Sequence, residues 1–175
     1  MGAATAALRR VLDLLIGTFC CGLLAGMVAI LAWQVFSRYV LGDPSTFSEE
    51  LLRYGVIWLS LLGAALATGR GAHMAIDLLP ALVPARARVW FAALGPLSLM
   101  IFGAMVLGWG GWHGVQIASG QTSAVLRLPM GAVYAALPVS GALIVLYSAL
   151  NLLDLARRRA ARETDPIEHA LSVGD

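Results

Sequence analysis

The chain has 175 residues, of which 59% are apolar and only 13% charged, with a formal net charge of +2. A water-soluble domain carries about 25% charged residues, so this composition excludes a globule with a polar shell. The small net charge gives no basis for nucleic-acid binding, and the length admits one small membrane domain.

Four long runs without a charged residue organise the chain: residues 14–36, 54–69, 89–126 and 128–153. A helix rises about 1.5 Å per residue, so roughly 20 residues cross the hydrocarbon core. The pattern predicts an all-α integral membrane protein with four transmembrane helices, at about residues 12–36, 50–69, 88–118 and 129–153. A short interfacial segment separates the second and third. Together they form a single membrane domain over 1–162, followed by a polar tail over 163–175. Arg9 and Arg10 precede the first run as a secretory leader's basic residues would. That run is too long for a leader and no small-residue cleavage site closes it, so it reads as an uncleaved first span. Cys20 and Cys21 are helix neighbours pointing about 100° apart, a poor geometry for a disulfide.

The first span leads to Trp33, Arg38 and Tyr39, an interfacial set with Arg38 reaching toward water. Gly42 and Pro44 then stop the helix. Thr46 and Glu49 have capping-box spacing. Glu49 and Glu50 fall in a first helical turn that favours negative charge, and Glu49 and Arg53 are spaced for an i,i+4 pair. Helix initiation thus accounts for both carboxylates, and subunit contact or ion handling is the competing reading. Gly69, Arg70 and Gly71 are expected to close the second helix. His73 and Asp77 stand one helical turn apart ahead of an interfacial stretch over 78–83, which Pro80 and Pro84 break. Two such residues are too few for a metal site.

In the third span Gly110 and Gly111 permit close helix approach, and Trp109 and Trp112 form either an interface belt or a packing surface. His113 reads as a hydrogen-bonding residue within the bundle. Pro129 falls at the start of the last helix, where its missing N–H costs little, and Pro138 is expected to kink that helix as the one strong break within a span.

All twelve basic residues are arginine. With four spans, nine of them share a side with both termini and three (Arg38, Arg53 and Arg127) lie opposite, which places both termini in the cytoplasm. There is no phosphate-binding loop, no nucleophile triad and no zinc motif, so neither an enzyme nor a cofactor is expected. No ladder of charges crosses the middle of the spans either, as a stand-alone coupled transporter would show. The residues describe a scaffold or accessory subunit in the bilayer. A self-sufficient small transporter or channel acting as a homo-oligomer is the alternative. A four-helix cytochrome would need facing pairs of histidines, which the spans lack.

The order Phe36-Ser37-Arg38-Tyr39, Ser48-Glu49-Glu50, Arg53-Tyr54 resembles the small permease subunit of tripartite ATP-independent periplasmic (TRAP) transporters. So does Gly63-Ala64-Ala65 followed by Arg70, His73 and Asp77, and so do Gly120, Thr122, Leu128-Pro129-Met130, Tyr134, Pro138 and Gly141. The likeness runs over about residues 10–155. This chain departs from the family pattern at Phe47 and Gly131, where tryptophan is usual, and at Met74, where a β-branched residue is. The resemblance implies a bacterial inner-membrane protein. Its partners would be a large membrane subunit and a periplasmic substrate-binding protein, importing organic acids such as C4-dicarboxylates or sialic acid on a sodium gradient. The large subunit carries the substrate and moves; the small one is its scaffold. Arg38, Tyr39, Glu49, Glu50 and Arg53 would then brace the periplasmic end or meet a partner. Arg70, His73 and Asp77 would fix the cytoplasmic turn, and Pro129 the entry to the last helix. Trp109 and Trp112 would pack against the large subunit.

Overall fold

The computed structural model describes residues 3–43, 45–70 and 85–164. Helix α1 runs over Ala3–Phe36 and ends in a π-helical turn, Ser37–Leu41. Helix α2 is Thr46–Gly69. Helix α3, Ala85–Phe102, passes through a π-helical stretch, Gly103–Gly110, into α4, Gly111–Ala118. A loop leads to the short α5, Met130–Tyr134, and then to α6, Ala136–Thr164. Four segments are long and apolar enough to cross a membrane: Thr5–Leu41, Thr46–Gly69, Ala93–Ala118 and Met130–Arg157. The expected four-span, all-helical architecture is therefore present. The stretch over 78–83 and the prolines that break it, Pro80 and Pro84, lie outside the described residues, as does the tail from residue 165.

Several boundaries differ from expectation: the second span begins at Thr46, the third at Ala93, and the fourth runs on to Arg157. The first span is longer at both ends, 37 residues, or about 55 Å at the helical rise. Arg9, Arg10 and Asp13 lie inside α1, because Arg9 and Asp13 find polar partners on α6 and Arg10 lies exposed. Pro138 is also not the one proline within a span, since Pro96 lies inside α3. Pro138 does break its helix. Its ring displaces the turn four residues back, and α5 ends at Tyr134, with α6 resuming at Ala136.

The helices pack in the order α1, α2, α6, α3. Helix α6 is central: 44% of its most apolar window is buried, against 6% for α1. One core cluster joins Ile16, Leu62 and Tyr147; a second joins Ala65, Leu107 and Ile144. The seam between α6 and the third span is built on glycine. A Cβ on Gly111 would meet Leu137 Cβ at 2.7 Å, and one on Gly103 would meet Ile144 at 3.0 Å. The π-helical stretch keeps this seam aligned. Steps of four residues overshoot a full α-turn and fall short of the wider π-turn. Following α-turns with a π-helical stretch offsets the one drift with the other and holds Leu99, Gly103, Leu107 and Gly111 toward α6, while Met105 and Trp109 face outward.

Gly69 also serves packing. The cap after α2 is Arg70 in a right-handed conformation, so Gly69 is not a left-handed cap. Instead it is buried beneath Tyr147, whose ring occupies the space a Cβ would need. Among the described residues the left-handed glycine is Gly42, with φ of 70°, which closes the π-turn after α1 by donating its N–H to the Ser37 carbonyl.

Candidate functional site

Polar side chains gather at the two ends of the bundle. At the end away from the termini, the loop between α4 and α5 folds back on itself. Thr122 and Pro129 form an isolated antiparallel bridge, the Ser123 N–H donates to the Leu128 carbonyl at 2.9 Å, and the Met130 N–H donates to the Gln121 carbonyl at 2.9 Å. The anchor of this loop is Glu50, one turn into α2 and 8% exposed. Its carboxylate accepts from Ser123 Oγ at 3.0 Å and from the amides of Val125 at 3.2 Å and Leu126 at 2.9 Å. Ser123 Oγ in turn accepts the Leu128 amide at 3.1 Å. Tyr54, one turn further along α2, donates to the Met130 sulfur at 3.6 Å. An ionised acceptor makes stronger hydrogen bonds than a neutral one, so one buried carboxylate fixes a loop of otherwise weak preference.

Helix α2 does not start with the expected capping box. It begins after Ser45, whose hydroxyl lies 2.6 Å from that of Ser48, and Thr46 is inside the first turn. Glu49 is exposed and does not reach back to the Thr46 amide, and it forms no ion pair with Arg53 among the described residues. Burial and partners separate the two neighbouring carboxylates. Glu50 points to the loop and Glu49 to the surface. Arg38, Tyr39 and Arg53 are also exposed at this end. Pro129 precedes α5 and takes part in the bridge with Thr122. Of the residues proposed from sequence here, the structure thus joins Glu50 and Pro129 through one loop and leaves Arg38, Tyr39, Glu49 and Arg53 facing out.

At the termini end, α1 is clasped to α6. Arg9 donates to Asn151 Oδ1 at 2.7 Å and lies 3.5 Å from Asp154. The Tyr147 hydroxyl donates to Asp13 at 2.6 Å, and Asn151 Nδ2 donates to the Thr68 carbonyl at the end of α2 at 2.9 Å. Arg157 reaches Thr5 at 3.3 Å. Three helices that expose mostly apolar surface are thereby fixed to one another by polar groups. Arg9, Asp13, Asn151 and Asp154 had no place among the sequence candidates. The signal available was their position at the outer ends of the first and last spans, where Arg9, Asp13 and Asp154 flank the apolar runs and Asn151 lies just inside one. Arg70 is exposed just past α2, and His73 and Asp77 lie outside the described residues. Tyr147→Phe removes one donor and strands Asp13. We expect a loss of about 1–2 kcal/mol of stability, read as earlier thermal unfolding in detergent.

Trp109 and Trp112 face away from the bundle, 83% and 59% exposed. Gly111 is committed to α6 within this chain, and His113 is exposed, with no hydrogen bond among the described residues. On α1, Gly22 and Gly26 form a glycine pair four residues apart, facing open space. Such a pair allows close approach by another helix, a spacing that sequence inspection could have found.

Comparison with known proteins agrees with this architecture. The family of tripartite ATP-independent periplasmic transporters, DctQ component, matches over residues 27–158. The chain is 30% identical over 101 residues to the sialic acid TRAP transporter small permease protein SiaQ of Vibrio cholerae, covering 57% of this chain and 58% of that protein. It is 26% identical over 125 residues to a TRAP transporter small permease protein of Haemophilus influenzae, covering 71% and 77%. It is 28% identical over 82 residues to the C4-dicarboxylate TRAP transporter small permease protein DctQ of Vibrio cholerae, covering 46% and 35%. With the family match running from within the first membrane-spanning segment to the end of the fourth, this chain belongs to the DctQ component family of TRAP transporters, their small permease subunits.

Proposed function

We propose that this chain is the stationary scaffold of a sodium-driven importer of organic acids, of the sialic acid or C4-dicarboxylate class. It would sit in the bacterial inner membrane with both termini cytoplasmic. Its partners would be a large membrane subunit, which carries the substrate, and a soluble periplasmic binding protein, which delivers it. Residues 1–162 would be the membrane domain, with 163–175 as a polar tail.

The observation that supports the scaffold reading most is where the polar bonds between helices lie. Glu50 and its loop hold one end, Arg9, Asp13, Asn151 and Asp154 hold the other, and the charge-free runs lie between. A subunit that carried the solute or the ion would need polar groups near the midplane. The nine-to-three distribution of arginine supports the orientation. The exposed apolar faces of α1 and the third span supply surface for a membrane partner as well as for lipid.

The test is co-purification of the tagged chain with the large membrane protein encoded beside it. One stoichiometric complex in detergent is expected. Elution as a homo-oligomer alone would overturn the reading and make ion or solute flux by the isolated protein in liposomes the next measurement. Because Trp109 and Trp112 touch little of their own chain, the pair Trp109→Ala and Trp112→Ala should leave its folding unchanged and lower recovery of the complex several-fold, as loss of aromatic anchors does. Full recovery would assign those rings to lipid.

A further inference from the structure

The loop that Glu50 anchors carries a feature the scaffold role does not use. Arg127 has φ of 51°, and among the described residues it is the one non-glycine residue with a left-handed backbone. Glycine would adopt that conformation without steric cost. The backbone on either side of Arg127 is held. The Leu126 amide is bound by Glu50 at 2.9 Å, and the Leu128 amide and carbonyl are bound by Ser123 at 3.1 and 2.9 Å. Nothing holds the side chain: it is exposed, and its guanidinium has no hydrogen-bond or ion-pair partner among the described residues. The buried Glu50 carboxylate is spent on the loop itself. Exposed apolar side chains, Val125 and Leu128, flank the arginine.

We propose that residues 123–128 form a preorganised recognition tip, in which Arg127 pairs with a carboxylate on a soluble protein docking against this end of the bundle. The inference rests on the reading of this chain as a subunit served by a soluble binding protein. Three observations carry it. A strained residue whose neighbours are pinned is characteristic of recognition sites, where the surrounding structure sustains the strain. An unpaired arginine between apolar side chains has the composition of an interface anchor. The exposed charge at this end is also on balance positive, Arg38, Arg53 and Arg127 against Asp43 and Glu49. A phospholipid headgroup is mobile and is reached by flexible arginines on helices, as Arg38 and Arg53 are placed to do. It gains nothing from a fixed tip. A folded acidic surface gains, because the ordering cost of the loop is already met.

The conformation supplies its own test. Arg127→Gly removes the side chain while relieving the backbone, so a structural role and a recognition role move in opposite directions. The complex of this chain with its large membrane partner is reconstituted in phosphatidylcholine nanodiscs with a minor share of phosphatidylglycerol, and its affinity for the purified binding protein and its retention of phosphatidylglycerol are measured. Arg127→Gly is expected to assemble normally and to melt at the wild-type temperature or above. It should bind about 10- to 100-fold more weakly, the worth of a charge-assisted contact. Arg127→Lys should retain part of the affinity, Arg127→Glu should retain none, and added salt should narrow the difference between wild type and Arg127→Gly. Equal affinity of wild type and Arg127→Gly overturns the proposal while leaving the scaffold reading in place. An absence of binding by the wild-type complex overturns the binding-protein reading and this proposal with it. If Arg127→Gly changes only the retention of phosphatidylglycerol, with protein affinity unchanged, the ligand is a lipid headgroup and the proposal fails.

Discussion

Replacing Gly141 with leucine is expected to destabilise the whole bundle. A Cβ at that position would lie 2.7 Å from the Gly103 carbonyl, 2.8 Å from Leu107 Cβ and 2.9 Å from the Gly108 amide. Two of these three atoms are backbone, so no rotamer change relieves the clash. The central helix α6 would have to move away from the π-helical stretch it packs against. Overpacking of this kind costs about 3 kcal/mol, and here it strikes the element on which α2 and the third span both pack. Thermal unfolding in detergent, followed by tryptophan fluorescence, should show a markedly lower midpoint or no cooperative transition. Gly63→Ala is the matched control. Nothing lies within 4 Å of a Cβ there, so the better helix former should leave stability unchanged or raise it by about 0.5–1 kcal/mol. Similar behaviour of the two variants would remove the glycine seam as the basis of the α6 contact.

Glu50→Ala is expected to release the loop between α4 and α5 and leave the helices folded. The substitution takes the acceptor from Ser123 Oγ and from the Val125 and Leu126 amides at once. Leaving such donors unpaired costs about 1–3 kcal/mol each where they are buried. The three are partly buried together, so a total near 3 kcal/mol is expected. Hydrogen exchange at Val125 and Leu126 should accelerate by about two orders of magnitude, and a protease should nick the chain between 123 and 128. Glu50→Gln keeps one acceptor oxygen and should fall between the two. Glu49→Ala, one residue earlier and exposed, should leave exchange in the loop unchanged. Unaltered protection in Glu50→Ala would show that the backbone bonds between Ser123 and Leu128 hold the loop by themselves.

Legibility in the sequence differed from residue to residue for identifiable reasons. Gly42 and Pro138 were readable because each acts through its own backbone, one by accepting a left-handed conformation and the other by lacking a donor. Pro96 was missed, and α3 passes through it without a break between named helices. Glu50 stood among the candidates as a helix-start anion. Its use as a loop anchor was hidden because most of its donors are backbone amides, which every residue but proline carries. Gly69 looked like a cap and is a packing site, since the ring that covers it, Tyr147, comes from another helix. Arg9 was read only for its position ahead of the first apolar run, and Asp13 was not singled out. Their partners on α6 are more than a hundred residues away.

By itself, then, the sequence determined that there are four spans, about where they lie, and which residues stand at their ends. The physical reason is local. In hydrocarbon each backbone N–H and C=O must be satisfied, and a helix does this within its own segment, so roughly 20 apolar residues suffice to specify a span. The family followed from the order of short motifs at those ends. Which helix packs on which, and what each polar side chain meets, was decided only in three dimensions. Spans that are apolar on every side have no hydrophobic stripe to aim them, so shape and polar end contacts choose the neighbours. In this chain the shape is supplied by Gly103, Gly111 and Gly141 against their facing backbones and side chains. The end contacts are Glu50 with a loop 73 to 76 residues further on and Asp13 with Tyr147.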